Sequence, residues 1–273
     1  MSEVTVVEVP QWRGSAAPTS KRLREGARLL AGMVDADRRV RVEVDDDLVS
    51  TSAKVRAALA DLGGPSLRPS FETEGLVVTA GGDCGVELQP VAAARKRYGH
   101  RLVVVWFDAH ADMNSPASSP SGAYHGMVLR ALTGEGPEGL VPDQALRPQQ
   151  IVLAGVRDLD PGELAFVRDQ GIRHLPPVVD AAALVRAIEA VAEAPVVYVH
   201  IDLDVLDPQA FESVGSPTPG GLRPGELLAL VTAVAERFPV VGLGLMEYEP
   251  SRKEDQELLS ELVPRVVAAC ARS

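Results

Sequence analysis

Cysteine is scarce in this 273-residue chain, with only Cys84 and Cys270 present. Two cysteines cannot build the cross-linked framework of a small secreted scaffold, so a reducing, cytoplasmic setting is expected. Long apolar runs are missing too. No stretch approaches the ~18 uninterrupted apolar residues of a membrane-spanning helix. The opening residues, MSEVTVVEVPQWRGS, lack a basic segment, an apolar run and a small-residue cleavage site. A soluble, unprocessed protein is expected. Positive charge is in deficit: 27 basic residues against 38 acidic ones leave a formal charge of −11. That balance argues against nucleic acid or an anionic membrane as partner. Hydrophobic residues make up 46% and charged residues 24%, which is ordinary for a globular protein and excludes disorder and fibre. No composition shift, internal repeat or low-complexity tract divides the chain, so residues 1–273 are expected to form one domain.

Short β-branched runs recur at Val4 to Val9, Leu76 to Thr79, Leu102 to Phe107, Ile151 to Ala154, Val196 to Ile201 and Val240 to Leu245. Several lack clean polar alternation, the pattern of strands covered on both faces. Between them lie helical patterns at Ala16 to Met33, Ala53 to Leu62, Gly85 to Tyr98, Tyr124 to Leu132, Pro161 to Asp169, Asp180 to Glu193, Pro224 to Arg237 and Lys253 to Ala271. The alternation predicts an α/β fold, a three-layer α/β/α sandwich around a mostly parallel sheet. Ligands bind such sheets at the carboxyl ends of the strands. Asn114 to Gly122 (NSPASSPSG) and Pro217 to Gly221 (PTPGG) are expected to be loops that build a site there.

Three strand ends carry reactive groups. The run from Val104 to Phe107 passes directly into Asp108-Ala109-His110-Ala111-Asp112, and buried charges at the end of an apolar strand need a counter-charge. Carboxylates with an imidazole suit Mn, Fe, Co or Zn. The run from Val197 to Ile201 carries His200, Asp202 and Asp204, which strand alternation turns toward one side. Four carboxylates meeting at one sheet edge need cations, and two divalent ions about 3.5–4 Å apart are a standard arrangement for hydrolysis. The third end, Gly81-Gly82-Asp83-Cys84-Gly85, has glycines that permit a tight turn. Cys84 would sit at the amino end of the next helix, where the field lowers a thiol's pKa; a small buried apolar group is the alternative.

The segments GGDCG, WFDAHADMN, HIDLDVLDP and LMEYEP, in this order between Gly81 and Pro250, resemble the ureohydrolase superfamily of arginases, agmatinases and formiminoglutamases. The resemblance implies one α/β/α domain with an eight-stranded parallel sheet, two Mn²⁺ ions and a homo-oligomer, a trimer or hexamer. It casts Asp108 and Asp202 as carboxylates shared by both ions, His110 and Asp204 as ligands of one, and Asp112 as a ligand of the other. The family completes that second ion's shell with a histidine in GGDH, where this chain has Cys84. Metal binding there is expected to be weakened or altered, because a thiolate is softer than imidazole and Mn²⁺ binds weakly.

Within the superfamily, the spacing from Asp108 to His125, including Asn114, Ser119 and Ser121, is similar to that of arginases. There these positions hold a substrate α-carboxylate. Asp160, with Glu163 nearby, resembles the acid that binds the α-ammonium group; Asp160-Pro161 also reads as a helix start. His125 matches the family's proton-shuttling histidine, and Glu247 the carboxylate that faces the guanidinium. Glu249 stands where arginases usually have Asn. His200 is expected to support a ligand or the core, and His100 and His174 to lie at the surface or in loops. These matches imply hydrolysis of L-arginine or, given Cys84, Nω-hydroxy-L-arginine. Agmatinase-, guanidinobutyrase- or formiminoglutamase-type activity, or a non-catalytic binding protein of the same fold, are the alternatives.

Overall fold

The computed structural model describes residues 2–62, 75–175 and 180–272. Among them, eight strands form one all-parallel sheet: β1 (Val4–Val9), β2 (Arg38–Arg41), β3 (Leu76–Gly81), β4 (Leu102–Phe107), β5 (Ile151–Ala154), β6 (Arg173–Leu175), β7 (Val196–Asp202) and β8 (Val240–Met246). Their spatial order is β2-β1-β3-β8-β7-β4-β5-β6. Helices α1 (Leu23–Met33), α6 (Ala181–Glu189), α7 (Pro224–Arg237) and α8 (Lys253–Cys270) pack on one face. Helices α2 (Leu48–Leu62), α3 (Leu88–Tyr98), α4 (Val128–Leu132) and α5 (Pro161–Asp169) cover the other. The expected three-layer α/β/α architecture is what the chain adopts.

β4 shows why the central strands are apolar on both sides. Val103, Val105 and Phe107 enter the core under α6 to α8, whereas Leu102, Val104 and Trp106 enter the core under α3 and α4. Two strands escaped the sequence patterns. β2 reads RRVR and β6 reads RHL, and they form the two edges of the sheet, where charge blunts edge-to-edge pairing and hides the apolar signal. His174 lies at the surface, as expected, in an edge strand, and His100 is exposed in a 3-10 turn, Gly99–Arg101.

Several helix starts also shift. The chain reaches α1 only after a 3-10 turn, Ser20–Arg22, and Ala16 to Thr19 precede it. α2 begins earlier than expected, at Leu48. The segments from Gly85 and Tyr124 open as 3-10 turns, Cys84–Glu87 and His125–Met127. α6 ends at Glu189 rather than Glu193.

Candidate metal centre and substrate cleft

Sheet order brings distant segments together. β3, β8, β7 and β4 are consecutive neighbours, and each ends in a residue of the expected site. Cys84 follows β3, Glu247 follows β8, Asp202 ends β7 with Asp204 in the next turn, and Asp108, His110 and Asp112 follow β4. The chain leaves β3 and enters β4 three positions away, with β8 and β7 between them, and such a crossing opens a crevice at the strands' carboxyl ends.

Backbone amides, one indole and one imidazole hold the acids. Asp108 Oδ1 accepts the His110 N–H at 2.6 Å, and Asp108 Oδ2 accepts the Trp106 indole N–H at 2.9 Å. Asp202 Oδ1 accepts the Asp204 N–H at 2.7 Å, and Asp204 Oδ1 accepts the Ala109 N–H at 3.0 Å. His110 Nδ1 lies 2.9 Å from Asp204 Oδ2 and 3.6 Å from Asp108 Oδ1. Asp112 and Glu247 both hold left-handed backbones, φ 51° and 62°, a strain that side-chain-bearing residues keep where the surroundings impose it.

This packing leaves negative charge without compensation. Burial, then the charge of Asp204, pushes Asp108 up to about 7 and Asp202 well above the carboxylate range. Burial and then Asp108 raise Asp112 likewise. Asp204 is held low: burial works against its charge, but the hydrogen bond from His110 prevails. Burial opposes charging His110 too, yet its bonds to Asp108 and Asp204 raise it. Asp112 Oδ2 is buried without a hydrogen-bond partner. Ligand atoms of Asp108, His110 and Asp204 lie within 4.8 Å of one another, as do those of Cys84, Asp202 and Glu247. Crowded carboxylates, an orphaned oxygen and a mixed oxygen, nitrogen and sulfur donor set fit divalent transition cations.

Above this floor opens a cleft of about 140 Å³, lined among others by His110, Asp112, Asn114, Ser121, His125 and Glu247. Asn114 Nδ2 donates to Asp160 Oδ2 at 2.8 Å, and Asn114 Oδ1 accepts the Ser118 hydroxyl at 2.9 Å. Ser119 and Ser121 face each other at 3.5 Å on the exposed rim. Glu163 also borders the cleft, but its oxygens are engaged: Oε1 accepts the Met113 N–H and Oε2 the Asp160 N–H, each at 2.9 Å. Asp160 and Glu163 thus form the capping box of α5, which ties the cleft-lining loop to a helix start. Ser15, Gly215 and Ser216 also line the cleft, and nothing in the sequence patterns pointed to them. Glu249 is buried beside Gly215.

Around Cys84 the structure corrects the sequence reading. Cys84 does open the 3-10 turn that leads into α3, but its thiol is not lowered there: burial, then the charges of Asp202 and Asp112, push it up. It lies beneath the cleft, 3.3 Å from Asp202 Oδ2 and 3.6 Å from His200 Nε2. Behind His200 come Glu87, 3.4 Å from its Nδ1, and Tyr198, whose hydroxyl donates to Glu87 at 3.1 Å. Trp106 stacks on the His200 ring with centroids 3.4 Å apart. Glu87 carries no motif signature and was not anticipated.

The fold and the site together define an α/β/α protein whose strand ends gather a carboxylate–imidazole cluster suited to divalent cations. A family model described as the arginase family matches residues 11–271. An arginase of Staphylococcus aureus (strain MRSA252) is 35% identical over 190 residues, 66% of this chain and 63% of that protein. The aligned region therefore spans less than two thirds of that relative. An arginase of Entamoeba histolytica is 30% identical over 199 residues, 70% of this chain and 67% of that protein. The solved structure of an Entamoeba histolytica arginase in complex with L-ornithine superposes with a TM-score of 0.84 at 24% identity, covering 99% of this chain and 98% of that one. Proclavaminate amidino hydrolase from Streptomyces clavuligerus gives 0.78 at 24%, covering 99% and 92%. The chain belongs to the arginase family. No helix among the described residues is long and apolar enough to cross a membrane.

Proposed function

We propose that this protein is a metal-dependent amidinohydrolase that cleaves the guanidino C–N bond of L-arginine or Nω-hydroxy-L-arginine, releasing ornithine with urea or hydroxyurea. The observation that carries the reading is the convergence of Asp108, His110, Asp202 and Asp204 beneath a cleft that also presents His125, Glu247 and the Asn114–Asp160 pair. Two Mn²⁺ ions are the expected cofactor; Asp108, Asp202, His110 and Asp204 would hold one position, and Asp112 and Cys84, with Asp108 and Asp202, the other. Such ions supply a nucleophile from water near neutral pH.

The chain's own groups do the rest. Asn114, with Ser119 and Ser121 on the rim, offers hydrogen bonds to an α-carboxylate, and Asp160 offers its charge to an α-ammonium. Glu163 serves them by fixing the Asp160 backbone. Glu247, oriented through Oε1 by the Cys84 N–H and His125, presents a carboxylate to the planar guanidinium. His125 holds a proton on the imidazole that Glu247 supports and delivers it to the departing amine. Cys84, in place of the family's histidine, favours the less basic N-hydroxyguanidine. The same resemblance leads us to expect one functional domain in a cytoplasmic homo-oligomer, a trimer or hexamer.

The test is a panel of guanidino compounds assayed with Mn²⁺ and scored for amine product. Turnover of arginine or Nω-hydroxyarginine, with little from agmatine, is expected. Preference for agmatine, guanidinobutyrate or formiminoglutamate replaces the substrate assignment. No product with Mn²⁺, Co²⁺ or Zn²⁺ leaves a binding protein of the same fold.

A further inference from the structure

We propose that His200 is itself a metal ligand, so that the position beside Cys84 is a thiolate–imidazole–carboxylate site, and that Glu87 fixes the imidazole for this task. The proposal rests on the reading above only in taking a cation to lie between the ends of β3, β7 and β4.

The ring is aimed. His200 Nε2 lies 3.6 Å from Cys84 Sγ, and ligand atoms of Cys84, His200 and Asp108 all fall within 4.8 Å of one another. An imidazole offers a lone pair at Nε2 only when its ring proton sits on Nδ1. Glu87 Oε2, 3.4 Å from Nδ1, is placed to accept that proton's hydrogen bond. A carboxylate behind the far nitrogen is how metal-binding histidines are oriented and made more basic. Tyr198, donating to Glu87 Oε1, fixes the carboxylate in turn.

The sheet makes room for this arrangement. In register, His200 lies between Trp106 of β4 and Gly244 of β8, and Tyr198 lies beside Gly242. A Cβ at Gly244 would come within 2.5 Å of the Glu87 carboxylate, and one at Gly242 within 2.4 Å of the Tyr198 ring. Cys84, Glu87 and His200 are at most 1% exposed. A carboxyl and an imidazole buried so deeply cost more than apolar side chains of similar size, and a cation gives that burial a purpose.

Sulfur and imidazole donors favour Zn²⁺ or Co²⁺ over Mn²⁺, while the Asp108–His110–Asp204 group is harder. The two metal positions therefore differ in preference. Co²⁺ titrated into metal-free full-length protein should give near-ultraviolet thiolate-to-cobalt absorption, which Cys84→Ser abolishes. His200→Asn should weaken this binding, and Glu87→Gln should weaken it by about 10- to 100-fold, with circular dichroism confirming the fold. Unchanged affinity and spectrum in folded His200→Asn would make His200 a core residue and overturn the proposal. Should those variants not fold, Zn²⁺ in the His110→Asn protein decides it by X-ray absorption: sulfur at about 2.3 Å together with imidazole scattering is expected, and absence of either overturns it. The hydrolase reading fails separately, if the unaltered protein shows the cobalt signature yet releases no amine from any guanidino compound.

Discussion

His125 Nδ1 lies 3.1 Å from Glu247 Oε1, and that same oxygen accepts the backbone N–H of Cys84 at 2.9 Å. One carboxylate thus joins the end of β8, the turn after β3 and His125. Burial works against charge on His125, but the charge and hydrogen bond of Glu247 overcome it and raise the imidazole from 6.5 to about 9.

From this follows the first prediction. In metal-free protein, Glu247→Gln should lower the His125 pKa, read from its imidazole proton resonances by NMR. Because the folded pKa exceeds the unfolded one, protonated His125 contributes stability that is fully present below 6.5 and lost as pH rises through about 9. The stability difference between the unaltered protein and His125→Asn should shrink across that window. A His125 titration indifferent to Glu247→Gln would show that the pair is not coupled.

The Asn114–Asp160 pair predicts substrate discrimination. Asn114→Ala removes the amide that donates to Asp160 Oδ2 and, in the proposed role, a hydrogen bond to the α-carboxylate. Bonds to charged groups contribute roughly 1.5–3 kcal/mol, so kcat/KM for an α-amino-acid substrate should fall between about tenfold and a hundredfold. Agmatine, which lacks the carboxylate, should lose far less. Equal losses on both substrates would assign Asn114 to loop structure instead.

How far the sequence led depends on how local each signal was. The motif from Asp108 to Asp112 was legible because an apolar strand cannot pass into three ionisable groups without a reason, and the start of α5 because an acid stands directly before a proline at the first helical position. β2 and β6 were not legible, since edge strands carry the charges that erase a buried pattern. The Glu87–His200 contact joins residues 113 positions apart. It becomes visible only once β7 lies beside β8, where Gly242 and Gly244 leave the space that Tyr198 and Glu87 occupy.

Both thiols should be silent toward Ellman's reagent in the native, metal-free protein at neutral pH. Cys84 and Cys270 are each 1% exposed, burial pushes Cys270 up to about 12, and burial with the surrounding acids pushes Cys84 up. Only the thiolate reacts, and only when reachable. Two equivalents should react after unfolding in denaturant. Rapid reaction of Cys84 in the folded state, absent from the Cys84→Ser protein, would show that the floor of the site opens.

Gly82 supplies the last prediction and revises why the paired glycines stand in GGDCG. Neither Gly81 nor Gly82 has a positive φ, so left-handed turn geometry is not their reason. A Cβ on Gly82 would lie 1.7 Å from the Gln11 carbonyl oxygen, a backbone atom that cannot rotate aside. Gly82 is also bonded into its surroundings: its N–H donates to Val9 O at 3.0 Å, and its carbonyl accepts the Glu247 N–H at 2.8 Å. Gly82→Ala must therefore push apart the ends of β1, β3 and β8 together. Overpacking of this kind costs about 1–3 kcal/mol, occasionally more, so the melting temperature should fall by several degrees. Because the displacement acts on the peptide that carries Glu247, activity should drop further than in a distant variant of equal stability loss, such as Leu259→Ala in α8. Equal activity in the two variants would show that the β3–β8 junction tolerates the shift without disturbing Glu247.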